Sequence, residues 1–169
     1  MLENSVYVLF LLLDFYKACD TVHRLILLKK LDTYHLPGNI LSWIISFLTE
    51  RSQCTKINGV VSVFECINKS IVQGSVIDPN SFSLYVADLK ALGKTNALCK
   101  HADDTTLLVP QHCDVQLVDE LERVIKWSKA NKLKLNLGKK KEIVFRRSSV
   151  KRDILPLALD DTTSNVWSV

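Results

Sequence analysis

Residues 100–109 read KHADDTTLLV, where two adjacent aspartates precede a strand-like run of Thr, Leu and Val. Ionised carboxylates in a site of low dielectric are costly unless a cation compensates them, so we expect a divalent metal beside Asp103 and Asp104. A third carboxylate, Asp14, ends the apolar run VYVLFLLL at residues 6–13. Carboxylates at the ends of two strands predict a two-metal site for phosphoryl or nucleotidyl transfer.

The hydrophobic pattern predicts an α+β fold, an antiparallel sheet with helices packed on one face. Residues 6–13 should form a strand buried on both faces, and Asp14 should lie on a strand next to the acidic turn. Trp43 and Trp127 lie on apolar helix faces and are expected in the core. The other predicted elements are helices at 21–34 and 40–48, a hairpin at 53–67 around Asn58-Gly59, a helix at 81–92, a hairpin at 97–109, a helix capped by Asp114, and strands at 133–136 and 142–146.

Composition indicates one globular domain with an uneven charge. The chain has 169 residues, 47% of them hydrophobic, and a net charge of +4. Residues 126–152 hold 11 of the 22 Lys and Arg residues and only one acid, Glu142. Such a stretch is typical of a surface that meets phosphates, although the wet face of a helix and a charged surface strand would give the same pattern.

The cysteines and the N-terminus indicate an intracellular protein without a membrane segment. The five cysteines form no CxxC pair, and no basic region precedes the apolar run at 6–13. That run is far shorter than the ~20 residues that span a bilayer, so we interpret it as a buried strand instead of a signal peptide. A zinc site from Cys99, His101, His112 and Cys113 is conceivable, but its spacing fits no established ligand pattern.

Four segments in order resemble the palm of reverse transcriptases, most of all those of non-LTR (LINE-type) retrotransposons. They are LDFYKACDTV at 13–22, SIVQGS at 70–75, ADD at 102–104 and LNLGK at 135–139. The resemblance implies a palm-type sheet of ferredoxin-like or RRM-like topology. It also implies a partial palm domain at 1–152, lacking the N-terminal fingers part and the thumb, and an irregular tail at 153–169.

The resemblance also implies roles for individual residues. Asp14, Asp103 and Asp104 would be catalytic and would bind two Mg²⁺ ions, with Mn²⁺ as a substitute. The backbone carbonyl of Phe15 would complete the coordination shell, and Lys139 would donate a proton to the departing pyrophosphate. The remaining expected substrate-binding residues are Cys19, Gln73, Gly74 and Ser75.

The expected function is an RNA-directed DNA polymerase that adds deoxynucleotides to a primer 3′-hydroxyl. Its partners would be an RNA template, a DNA primer, dNTPs and the rest of a retroelement polyprotein, in the cytoplasm or nucleus. Cys19 replaces the usual Phe or Tyr that excludes ribonucleotides, and His101 replaces the usual aromatic residue before Ala-Asp-Asp. The alternatives are a catalytically inactive nucleic-acid-binding remnant or a relic, in which the acidic pair is a solvated turn, Asp14 a strand-end cap and residues 73–75 an ordinary turn.

Overall fold

The computed structural model describes residues 1, 5–67, 69, 78–146 and 167–168. They belong to two compact units, residues 1–16 with 87–169 and residues 17–86. None of the helices described is long and apolar enough to cross a membrane. In chain order the elements are β1 (Tyr7–Leu13), α1 (Ala18–Thr21), α2 (Arg24–Asp32), α3 (Gly38–Leu48), β2 (Ser52–Gln53), β3 (Lys56–Ile57), β4 (Val60–Val61), β5 (Glu65–Cys66), α4 (Asp78–Tyr85), β6 (Ala97–His101), β7 (Asp104–Pro110), α5 (Leu117–Ala130), a short 3-10 helix (Leu137–Lys139), β8 (Lys141–Arg146) and β9 (Trp167–Ser168).

The first unit contains a five-stranded sheet in the order β6-β7-β1-β8-β9. Every pair is antiparallel except β8 with β9, so the predicted α+β class with an antiparallel sheet is confirmed. β1 is the central strand, and Leu13 at its end pairs with Thr105 of β7. β9 lies in the tail that we expected to be irregular, and the prediction for the rest of that tail falls outside the described residues.

The two faces of β1 differ in burial. Leu9, Leu11 and Leu13 on one face are buried, as are Leu107 and Val109 beside them on β7. On the other face Val8 is buried, whereas Phe10 and Leu12 are only half-buried. The predicted strand is therefore confirmed, and its predicted burial on both faces holds fully for one face and in part for the other. A long amphipathic helix supplies one apolar layer for this unit, since the buried side of α5 includes Leu117, Leu121 and Val124.

In the second unit, α2 packs against both α3 and α4. Its core comprises Leu27, Leu31, Leu48, Phe82 and Tyr85. The predicted hairpin is confirmed at its turn, since Asn58 and Gly59 have φ angles of 48° and 83°, both positive as a type I′ turn requires.

The core prediction for the two tryptophans is wrong for Trp43, which is 56% exposed. The physical reason is that α3 buries only Leu48, so most of this apolar helix stays at the surface. Trp127 is half-buried, and its ring lies 6.2 Å from the ring of Phe15.

The end of α4 and the start of α5 differ from the prediction, and a side chain with distant backbone partners lies at each place. α4 ends at Tyr85 instead of residue 92, and the ammonium of Lys100 binds the carbonyls of Ala87 and Leu89. Asp114 does not cap α5, whose N-cap is Gln116. The carboxylate of Asp114 instead accepts hydrogen bonds from the loop at residues 94–95.

Candidate active site

Three strand ends of the first unit meet at one open depression of about 630 Å³. Asp14 directly follows β1, Asp104 begins β7, and Lys141 begins β8 opposite Leu12. The strand register explains why these ends meet. Leu13 pairs with Thr105 in an antiparallel ladder, so Asp14, which follows Leu13, and Asp104, which precedes Thr105, lie at the same edge. The lining residues are Leu12, Leu13, Asp14, Asp103, Asp104, Gly138, Lys139 and Lys141.

The predicted acidic hairpin tip is present. His101 pairs with Asp104, so Ala102 and Asp103 form the turn between β6 and β7. Ala102 has a φ angle of 51°, in the left-handed region that a residue with a Cβ rarely enters and that costs roughly 1–2 kcal/mol. Asp103 is half-buried and Asp104 is exposed, so the backbone strain lies directly before the two carboxylates.

Asp14 is held by the segment that precedes β8. Its backbone carbonyl accepts a hydrogen bond from the amide of Asn136 at 2.8 Å. Its Oδ2 atom lies 3.1 Å from Nζ of Lys139 and 3.5 Å from the side-chain amide of Asn136, the latter at the limit of a hydrogen bond. The Asp14 side chain is 22% exposed, and the ion pair leaves it accessible from the depression.

Phe15 anchors the same junction. It forms a single antiparallel bridge with Leu135, supported by a hydrogen bond from the Tyr16 amide to the Lys134 carbonyl at 2.7 Å. The bonds of this bridge use the Asp14 carbonyl and the Tyr16 amide, not the Phe15 carbonyl. The buried Phe15 ring therefore anchors the chain directly after Asp14, at the end of β1.

The structure divides the basic stretch into two parts. Lys126 and Lys129 are exposed on α5, as the wet-face interpretation expected. Lys139 and Lys141 instead line the acidic depression, and Lys139 is the one paired with Asp14. This pairing distinguishes Lys139 from its neighbours, which sequence alone could not do.

The carboxylates suit a magnesium ion by their chemistry. Mg²⁺ prefers hard oxygen ligands and is usually held by one or two carboxylates together with substrate phosphates, so a closed cage of protein ligands is not required. The described residues contain no group of three or more His, Cys, Asp or Glu side chains placed to hold an ion. The depression therefore offers oxygen ligands that fit Mg²⁺ only in part, and a substrate would supply the others.

The conceivable zinc site is not formed by the residues that the structure describes, because Cys99, His101, His112 and Cys113 do not converge. Burial also raises the pKa of the Cys113 thiol, which disfavours the thiolate that zinc needs.

Some predicted substrate-binding residues cannot be placed in this depression. Cys19 is half-buried in α1, within the second unit. Gln73, Gly74 and Ser75 lie outside the described residues. Their roles remain predictions.

Sequence reasoning missed a second acidic cluster in the first unit. Glu120 of α5 is 1% exposed and accepts hydrogen bonds from the amides of Leu92 and Gly93 and from the side chain of Asn96. Near it, a larger depression of about 920 Å³ runs along α5 and is lined by both acidic and basic side chains. We take the smaller depression as the active site because, among the residues that the structure describes, residues of three of the four motifs line it. The Glu120 cluster had no local signal, since its donors lie more than 20 residues away.

Comparison with known proteins shows the family of this chain. Residues 2–157 match the family model described as reverse transcriptase (RNA-dependent DNA polymerase). The chain therefore belongs to the reverse transcriptase family. Relatives from a mobile element support the non-LTR, LINE-type relationship that the four motifs predicted.

Two relatives are polymerases from a mobile element. The chain is 26% identical over 155 residues to the RNA-directed DNA polymerase from mobile element jockey of Drosophila funebris. It is 24% identical over 155 residues to the polymerase of the same description from Drosophila melanogaster. Each match covers 85% of this chain but 17% of the relative, so the chain spans about a sixth of the length of these polymerases.

Two solved structures share the fold. The telomerase of Candida tropicalis, in complex with a fragment of telomeric RNA, matches with a TM-score of 0.64 over 84% of this chain and 26% of that one, at 13% identity. The telomerase of Candida albicans, also in complex with telomeric RNA, matches with a TM-score of 0.61 over 85% and 27%, at 15% identity. At these identities the likeness shows the fold alone, and it confirms the palm-type sheet.

Proposed function

We propose that this chain supplies the palm of an RNA-directed DNA polymerase that extends a primer 3′-hydroxyl with deoxynucleotides. The observation that carries the proposal is the convergence of Asp14, Asp103, Asp104 and Lys139 on one depression. The family match and the jockey relatives support the chemistry. RNA template, DNA primer, dNTPs and the rest of a retroelement polyprotein are the partners we propose, in the cytoplasm or nucleus.

In this proposal the three carboxylates hold two divalent ions, Mg²⁺ or Mn²⁺, together with the phosphates of the incoming nucleotide. The bound ions would supply charge stabilisation and acidify the attacking hydroxyl. Asp14 and Asp103, which both line the depression, provide the oxygen ligands. The carbonyl of Phe15 is the proposed backbone ligand.

Lys139 has two proposed states. Without metal its ammonium neutralises Asp14, as the 3.1 Å separation supports. With a metal bound at Asp14, the ammonium of Lys139 would no longer be needed to neutralise that carboxylate and would be available to donate a proton to the pyrophosphate. Cys19, Gln73, Gly74 and Ser75 would contact the nucleotide and template.

Primer extension by a polymerase that contains this segment tests the proposal. Asp103→Asn should lower the rate by at least about 1,000-fold, because a carboxylate ligand is replaced by a neutral amide of equal size. The matched control is Asp32→Asn, at the exposed end of α2, which should leave the rate unchanged. Extension that survives Asp103→Asn would remove the mechanism and favour the inactive nucleic-acid-binding remnant.

Metal binding by the 169-residue chain gives a readout that does not depend on activity. Titration with Mn²⁺, followed by electron paramagnetic resonance, should show at least about 10-fold weaker binding for Asp14→Asn than for Asp32→Asn, since only the first change removes a ligand. Equal Mn²⁺ affinities in the two variants would mean that Asp14 is not a metal ligand.

A further inference from the structure

One edge of α3 and the segment just after it carry an ordered column of side chains in the second unit. The rings of Trp43 and Phe47 are stacked, with centroids 6.0 Å apart and planes 27° from parallel. The guanidinium of Arg51 lies 4.9 Å from the centroid of the Phe47 ring. Its Nε donates a hydrogen bond to the Phe47 carbonyl at 2.7 Å, which fixes its direction. We call Trp43, Phe47 and Arg51 the α3 column.

The outer end of the α3 column is open to solvent. Trp43 is 56% exposed although it is the largest apolar side chain of a helix whose one buried residue is Leu48. Single exposed apolar residues are common in proteins and need no explanation. A tryptophan that is stacked on a second ring, and backed by a cation, is instead a rigid flat surface of low conformational entropy.

Two arginines near the column lack a compensating acid. The pKa of the Arg24 guanidinium is lowered by burial and, second, by the positive charge of Arg51. Among the residues described, neither Arg24 nor Arg51 has a carboxylate within ion-pair distance, and the buried Nε of Arg24 has no hydrogen-bond partner. Two mutually repelling cations are stabilised by an anion that binds both, and a phosphate suits the planar fork of an arginine.

We propose that the α3 column and Arg24 bind a stretch of single-stranded nucleic acid. An unpaired base stacks on the open face of Trp43, and backbone phosphates pair with Arg51 and Arg24. Such surfaces combine aromatic rings with cations and are tolerant of sequence. This site would act outside the acidic depression, so it extends the proposed function without depending on catalysis.

An apolar protein surface fits these residues less well. Covering the column with apolar atoms would bury the charge of Arg51 without a partner, which is unfavourable. A nucleic-acid strand supplies the flat apolar face and the anion together. We therefore make a protein partner one outcome of the test.

The stacking half of the proposal is tested by binding of the 169-residue chain to a fluorescein-labelled 12-nucleotide unstructured RNA, followed by fluorescence anisotropy. Trp43→Leu keeps an apolar side chain but loses the flat ring, so affinity should fall about 5- to 100-fold. Trp43→Phe keeps a ring and should bind within about threefold of the parent. Tyr34→Leu, which removes an exposed ring elsewhere in this unit, is the matched control and should change nothing.

The phosphate half is tested by salt dependence. Each phosphate contact on a single strand contributes about 0.7 to the slope of log affinity against log salt, so Arg51→Gln and Arg24→Gln should each lower the slope by about that amount. Lys29→Gln is the control because Lys29 is an exposed cation of α2, about 140° around the helix from Arg24. Circular dichroism should show an unchanged fold for the Trp43 and Arg51 variants, because both side chains are exposed, and it also checks the fold of Arg24→Gln, whose side chain is half-buried.

Three results would overturn the inference: Trp43→Leu binding RNA as the parent does, Trp43→Phe losing as much affinity as Trp43→Leu, or Lys29→Gln lowering the slope as much as Arg51→Gln. If Trp43→Asp instead converts an associating chain into a monomer in gel filtration while RNA affinity stays constant, the column is a protein interface. RNA affinity is measured without divalent metal or nucleotides, whereas primer extension needs both, so failure here is distinguishable from failure of the polymerase proposal.

Discussion

Glu120 and Asp14 are both carboxylates of the first unit, but their surroundings are opposite. Glu120 is 1% exposed and is satisfied by two backbone amides and the side chain of Asn96. Asp14 is 22% exposed, and the charge nearest to it is a lysine that is itself 70% exposed. The comparison shows how the same chemical group can serve structure or chemistry. A carboxylate that the fold fully satisfies holds a loop, whereas one left to a mobile cation can exchange that cation.

The largest effect should come from removing the structural carboxylate. Glu120→Ala leaves the amides of Leu92 and Gly93 and the side chain of Asn96 without their buried acceptor. We expect a loss of about 3–5 kcal/mol in the free energy of unfolding. Asp103→Asn should change it by less than about 0.5 kcal/mol, since surface changes rarely do more. Urea unfolding of both variants measures the difference, and similar losses would erase the distinction between the two kinds of carboxylate.

A smaller loss should follow from crowding the same loop. A Cβ atom on Gly93 would lie 2.5 Å from Oδ1 of Asp114 and 2.6 Å from Nδ2 of Asn96. Both side chains are held by hydrogen bonds, so Gly93→Ala should cost about 1–3 kcal/mol through overpacking. Gly38→Ala is the control, because a Cβ there meets nothing within 4 Å. Thermal unfolding of the two variants measures the difference. Equal melting temperatures for Gly93→Ala and Gly38→Ala would contradict the rigidity of the loop.

Breaking the open ion pair should cost less than about 1 kcal/mol in stability, because exposed salt bridges contribute little. Lys139→Met removes the cation beside Asp14 and should strengthen Mn²⁺ binding, since the ion no longer displaces an ammonium. Lys140→Met is the neighbouring control. Weaker Mn²⁺ binding in Lys139→Met would mean that Lys139 supports the metal instead of standing in for it.

The smallest effect should be a pH dependence from Asp114. A hydrogen bond from the Thr95 side chain, with one from the Lys94 amide, lowers the pKa of Asp114 from 3.8 to about 2. Because the folded pKa is the lower one, the stabilisation is complete above the unfolded pKa and is lost as the pH falls toward 2. In the Asp114→Asn variant, the free energy of unfolding should therefore depend less steeply on pH between about pH 4 and about pH 2. A parent and variant with parallel pH profiles would contradict this.

The fold was largely predictable because its elements have strong local patterns. The apolar run of β1, the Asn58-Gly59 turn and the acidic tip between β6 and β7 were all found where the residue types required them. The boundaries of α4 and α5 were not, because Lys100 and Asp114 bind backbone groups that are distant in sequence. The predicted burial of Trp43 was wrong for a related reason. The sequence of an apolar helix indicates a buried face but does not indicate which neighbouring element covers that face.

The candidate site was likewise predictable only in part from the sequence. The order of the motifs already predicted that Asp14, Asp103 and Asp104 would lie together, and they do line one depression. The choice of Lys139 over Lys140 and Lys141 required the geometry, because three adjacent lysines have identical chemistry and only their distance from Asp14 separates them. The α3 column also required it, as the sequence indicates an apolar helix but not an exposed one.

By itself, then, the sequence determined the reverse transcriptase family, the antiparallel class of the sheet and the acidic residues at its edge, because periodicity and motif order are local properties of the chain. Only the tertiary structure decided that the end of β1 meets the start of β7, that Lys139 neutralises Asp14, and that Glu120 is structural. The reason is that strand register and burial depend on contacts between residues far apart in the chain, and no short stretch of sequence contains both partners of such a contact.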